Sequence, residues 1–136
     1  DARALGVTGT NPFFSPDGQW VGFFSVDDRK LKKIPVAGGS AVAICDVDGP
    51  TPRGASWGDD DTILFNPFAE PWSPLLRVPS TGGKPEPATT LGQGDVAHRW
   101  PQVLPGARAV LFATFGTQGG IGGAFALQKG RLLGGR

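Results

Sequence analysis

The sequence has a single cysteine, Cys45, and a single histidine, His98. One cysteine excludes an internal disulfide, and one cysteine with one histidine leaves no zinc-ligand set within the chain. In the apolar run "AVAIC" (41–45), Cys45 reads as a small packed residue rather than a reactive thiol. No apolar stretch approaches the roughly 18 residues a membrane-crossing helix requires, and no signal-peptide pattern opens the chain. Charge bias is missing too. With 13 Lys and Arg against 12 Asp and Glu, the net charge of +1 lacks the electrostatic footprint of a nucleic-acid binder. Helical periodicity is scarce, because Gly or Pro interrupts nearly every window of about eleven residues. The first residue is not Met, which reads as a processed product or an excised piece.

What is present is turn chemistry between short apolar runs. The chain of 136 residues carries 22 Gly and 13 Pro, yet nine Phe and four Trp sit in bunches that argue against disorder. A compact domain of this length buries roughly 68% of its unfolded surface. Strand-sized runs recur: "WVGFF" (20–24), "LKKIPV" (31–36), "AVAIC" (41–45), "TILF" (62–65), "LLRVP" (75–79) and "AVLFAT" (109–114). Before the first of these stands Ser15, Pro16, Asp17 and Gly18, a tight reversal in which Pro16 presets φ, Asp17 bonds its own backbone and Gly18 tolerates positive φ. The pattern predicts an all-β protein.

Self-comparison organises these strands. "LKKIPVAGGSAV" (31–42) lies over "LLRVPSTGGKPE" (75–86), pairing Gly38 and Gly39 with Gly82 and Gly83. "FFSPDGQWVGFF" (13–24) lies over "SWGDDDTILF" (56–65) and again over "QVLPGARAVLF" (102–112). A period near 45 residues with about four strands per unit is that of a β-propeller blade. The expected organisation is an N-terminal segment 1–9, blade one at 10–49, blade two at 50–94, a partial blade three at 95–114, and a Gly-rich tail at 115–136. Within blade one the strands are expected at 12–15, 20–25, 30–36 and 41–45. The tail reads as a frayed or abnormal terminus.

Phe14, Ser15, Pro16, Asp17, Gly18 and Phe23, followed by "LKKIPVAGGSAVAIC", resemble the TolB-like, WD-repeat-like β-propeller repeat. Degenerate copies stand at Trp57, Gly58, Asp59, Asp60 and Phe65, and at Pro105, Gly106 and Phe112. The phrases are also similar to repeats found beside bacterial serine/threonine kinase domains. The resemblance implies a partial propeller of about two and a half four-stranded antiparallel blades and a periplasmic or extracytoplasmic setting. Propellers close with typically four to eight blades, so the remaining ones must come from a longer chain or from other copies.

"GASWG" (54–58) matches the G-x-S-x-G nucleophile elbow at Ser56, but no helix follows, and Asp95 and His98 stand only three residues apart. "DVDG" (46–49) opens like a calcium loop but has Thr51 and Trp57 where Gly and Glu are needed. Asp59, Asp60 and Asp61 occupy a turn position, and the lysines of "LKKIP" alternate with Asp27 and Asp28 as a solvated face. The repeat alignment places Thr10, Arg53 and Arg99 at one loop position entering the innermost strand. Arg53, Trp57, His98, Arg99 and Trp100 are therefore the expected polar and aromatic channel rim, with packing of Trp57 and Trp100 as the alternative. The functional expectation is a non-catalytic module for protein interaction or ligand sensing, with no cofactor or metal and a protein or peptide partner. The alternatives are the propeller portion of a prolyl-oligopeptidase-like peptidase and a self-assembling unit that completes a ring.

Overall fold

The computed structural model describes residues 2–68, 72–117 and 124–129. All eleven strands among them are antiparallel and fall into three sheets in chain order. The first sheet is a four-stranded meander of β1 (Thr10–Phe14), β2 (Trp20–Ser25), β3 (Lys30–Pro35) and β4 (Val42–Asp46). The second repeats it with β5 (Ala55–Trp57), β6 (Thr62–Phe65), β7 (Leu76–Pro79) and β8 (Glu86–Pro87). The third contains β9 (Asp95–Val103), β10 (Ala109–Gly116) and β11 (Ala124–Lys129).

The opening turn has the predicted chemistry. Gly18 N–H donates to the Ser15 carbonyl at 2.9 Å, and Gly18 has φ of 70°. Ser15 Oγ accepts the Trp20 N–H at 2.9 Å and donates to Asp17 Oδ1 at 2.6 Å. Ser15 is thereby drawn into the turn, so β1 ends at Phe14 rather than at 15. The same closure recurs at Gly58–Asp61 and Leu104–Ala107, where Asp61 and Ala107 take the positive φ. A second shared feature lies on or just before the first strand of each sheet. Asn11, Gly54 and Trp100 stand at equivalent repeat positions and have φ of 53°, 92° and 50°. In β1 the pairing register shifts around Asn11, and in β9 it shifts beside Trp100.

Each sheet uses one face against its neighbour. Phe24, Leu31 and Ile44 of the first meet Trp57, Ile63, Phe65 and Val78 of the second in one buried cluster. On the opposite face of β6, Leu64 joins Leu75, Val110 and Phe112 in a second cluster shared with the third sheet. Alternation along "TILF" thus feeds both interfaces, as a strand buried on two faces requires. This is the packing of propeller blades. Cys45 is buried beside the first cluster, where desolvation pushes its thiol up to about 12. The segment before β1 is held to the first sheet: Arg3 donates to the carbonyls of Val36 and Ala37, and Gly9 lies against Phe23.

Two boundaries are corrected. The third sheet does not stop at 114, because β10 continues to Gly116 and β11 pairs with it from Ala109↔Lys129 to Thr114↔Ala124. The stretch 124–129 is therefore a blade strand, not a frayed tail; it lacks the Pro and Gly-Gly signature but alternates Ala124, Phe125, Ala126 and Leu127. The rest of the expected tail, apart from Phe115 to Thr117, lies outside the described residues. Phe125 is 79% and Leu127 48% exposed, leaving an apolar outer face on this sheet.

Candidate functional site

The expected rim residues are not brought together as one surface. Trp57 is buried at the first interface, with its ring tilted 6.4 Å from Phe13 and its Nε1–H donating to Asp61 Oδ1 at 3.2 Å. It is bound up in packing, because the Trp position of this repeat points toward the first sheet. His98 is 2% exposed, at the junction of the second and third sheets. Its ring lies 4.5 Å from that of Phe112, its backbone N–H donates to Ser73 O at 2.9 Å, and its carbonyl accepts Asn66 Nδ2 at 2.8 Å. Arg53 is half-buried, and its carbonyl accepts the Trp100 N–H at 2.8 Å. Only Arg99 and Trp100 make a surface pair: both contact Phe115, Arg99 with its guanidinium 4.4 Å over the ring and Trp100 edge-on at 5.6 Å.

His98 also ends a chain of polar contacts that resembles a hydrolytic triad. Thr89 Oγ1 accepts the Leu75 N–H at 2.9 Å and stands 2.7 Å from His98 Nδ1, while His98 Nε2 is 3.3 Å from Asp95 Oδ2. The Asp95 carboxylate can only accept, so Nε2 supplies the proton between them, and in the neutral ring Nδ1 then accepts the Thr89 hydroxyl hydrogen. Thr89 is 4% exposed, and its oxygen is engaged by both Leu75 and His98. The chain acts as a clasp between β7, β8 and β9. Ser56 does similar work. Its Oγ accepts the Val103 N–H at 3.0 Å across the second interface, and Asp59 accepts the Gly106 N–H at 2.6 Å. Ser56 of the "GASWG" signal is thus engaged in joining sheets two and three.

The most prominent concavity lies elsewhere, between the first and second sheets. It is a cleft of about 530 Å³, within the range of roughly 300–1,000 Å³ usual for ligand sites. Its apolar walls come from Val47, Phe65, Phe68, Trp72, Pro74 and Leu76. Asp46, Asp48 and Lys84 supply the charge. The connection from β4 to β5 forms one wall, with Gly49 pressed so tightly on Phe68 that an added Cβ would stand 1.9 Å from the Phe68 Cβ. Behind that connection lies a smaller recess of about 130 Å³, too small for a ligand of that size class.

Trp72 is the unusual member. It is 70% exposed and has φ of 68°, a genuine outlier for a bulky residue. The conformation is imposed by β9: the N–H groups of Trp72 and Ser73 both donate to Val96 O, at 2.5 and 3.0 Å, and Ser73 forms a parallel bridge with Ala97. Backbone strain of this kind collects at functional positions. Beneath the cleft, Asn66 is fully buried and its Nδ2 donates to Ser73 Oγ at 2.9 Å, but its Oδ1 has no partner among the described residues. A buried acceptor left unmade costs about 1–3 kcal/mol.

Sequence reasoning missed Trp72 and Phe68. The available signal was the repeat offset, which is 42 residues at Trp20 and Thr62 but 44 at Pro35 and Pro79. Two extra residues therefore enter the connection between β6 and β7, in "NPFAEPWSPL" (66–75), and insertions at loop tips are where binding residues concentrate.

Among known proteins, no family model and no curated relative matches the chain. Solved structures do. A protein assigned as TolB from Agrobacterium tumefaciens superposes with a TM-score of 0.65 at 17% identity, over 83% of this chain and 40% of that one. The calcium-binding protein regucalcin from the same organism gives a TM-score of 0.54 at 18% identity, over 76% of this chain and 36% of that one. Both are β-propellers, and the chain spans less than half the length of either. The fold is therefore that of a partial β-propeller.

Proposed function

We propose that the chain is a non-catalytic propeller module whose cleft between the first two blades receives an extended segment of a protein partner. The observation that carries this reading is Trp72, held exposed and backbone-strained by Val96 at the mouth of an apolar cleft. Exposed aromatic side chains on a rigid support are the usual anchors of recognition surfaces, and aromatic-lined grooves accept extended proline-rich peptides, whose preformed conformation keeps the entropic cost low. Selection of binders from a peptide library on the immobilised chain tests it. Enriched peptides are expected to lose about tenfold or more in affinity on Trp72→Ala, with the fold intact. Affinities unchanged by both Trp72→Ala and Phe68→Ala would refute it.

The open outer face of the third sheet favours a second statement about the same module, that it is one sector of a larger ring. Phe125 and Leu127 stand exposed on it, and an apolar face of that kind requires cover in a soluble protein.

A further inference from the structure

The polar groups around the cleft are unevenly divided along its length. Gly49 lies against Phe68 and the Pro67 carbonyl, which places Asp48 at the Phe68 and Trp72 end. Asp48 is exposed and forms no ion pair among the described residues. Asp46 stands on the same wall with its Oδ1 engaged by Lys30. At the other end, Gly82 approaches the Ile44 carbonyl, so the adjoining Gly83 and Lys84 sit beside the earlier part of β4. Lys84 is exposed, again without an ion pair among the described residues. From Ile44 to Asp48 the backbone advances about 13 Å at roughly 3.3 Å per residue, the reach of about four residues of extended peptide.

The charged groups on the Trp72 side are therefore both carboxylates, Asp48 and the remaining oxygen of Asp46. The Trp72 ring beside them adds a face that attracts cations. Among the described residues the one cationic side chain lining the cleft is Lys84, at the opposite end.

We propose that the cleft binds an extended peptide segment with a cationic side chain at the Trp72 and Asp48 end and an acidic group at the Lys84 end. This rests on the recognition reading above and adds the chemistry of the occupant. The arginine or lysine of the segment lies over the Trp72 ring and pairs with Asp48. Its apolar middle residues pack on Val47, Phe65 and Leu76. Charge placement of this sort contributes more to orientation and selectivity than to raw affinity.

The test uses the full chain labelled with ¹⁵N. Its four tryptophans give four indole signals, and Trp72→Phe assigns the one that matters. Three capped peptides of about six residues are titrated, alike in their leucine and proline centre. One has arginine and glutamate at its ends, one has glutamine at both, and one has glutamate at both. The arginine–glutamate peptide is expected to move the Trp72 signal and to bind about tenfold more tightly than the neutral one at low salt, by a partly exposed ion pair and a cation–π contact. Asp48→Asn and Lys84→Gln, both at exposed positions, are expected to close most of that gap. If the neutral or the acidic peptide binds as tightly while moving the Trp72 signal, the cleft stands as a site and the charge assignment falls. If no peptide moves it, the recognition reading fails and this inference with it.

Discussion

Asn11, Gly54 and Trp100 are three unlike side chains held in one backbone conformation. Asparagine and glycine enter the left-handed region readily, whereas tryptophan does so at a cost of about 1–2 kcal/mol. Side-chain identity therefore concealed the shared conformation, although the repeat alignment places Thr10, Arg53 and Arg99, the residues just before these three, at one position. Ser15 and Asp17 show the opposite case, a local bond pattern fully legible in four letters. The Ser15 hydroxyl, and after it the Gln19 N–H, hold the Asp17 carboxyl below its ordinary value of 3.8. A depressed carboxylate contributes stability above its unfolded value, and that contribution fades as pH falls through the folded value. Ser15→Ala is expected to raise the Asp17 titration midpoint measured by NMR and to reduce the acid sensitivity of stability below about pH 4. An unmoved midpoint would show that the hydroxyl does not hold the carboxylate.

At the scale of elements, the first two sheets were readable because each strand lies between turn residues whose conformations are nearly obligatory. Gly38 and Gly39 have φ of 102° and 129°, and Gly82 and Gly83 repeat this at 107° and 139°. The N–H of the first glycine in each pair closes the turn, onto the carbonyl of Pro35 or Pro79. Gly38→Val and Gly39→Val are each expected to lower unfolding free energy by about 1–2 kcal/mol or more, read from urea midpoints. Unchanged midpoints would contradict the turn geometry. β11 was not legible, because what identifies it is its pairing with β10 and not any turn marker of its own. The candidate site escaped for a related reason. The first-strand loop position, where the rim was expected, faces the joints between sheets at Trp57 and His98, whereas the cleft is walled by connections that periodicity does not describe.

For the whole molecule, the packing explains why three sheets cohere and also where they end. Two apolar clusters and a set of cross-sheet bonds through Ser56, Asp59, Asn66 and His98 join neighbours. Phe125 and Leu127 on β11 have no equivalent cover among the described residues. If the chain is a sector of a ring, light scattering should find it self-associating as concentration rises, and Phe125→Glu with Leu127→Lys should return it to a monomer. A monomer at all concentrations before substitution would count against an uncovered closing face. Its central claim as a recognition module is tested most directly by mapping a selected peptide onto the assigned amide spectrum. Shifts are expected to be confined to Asp46–Gly49, Trp72–Leu76 and Gly83–Lys84, on both walls of the cleft. Shifts gathered instead around Arg99, Trp100 and Phe115 would contradict it.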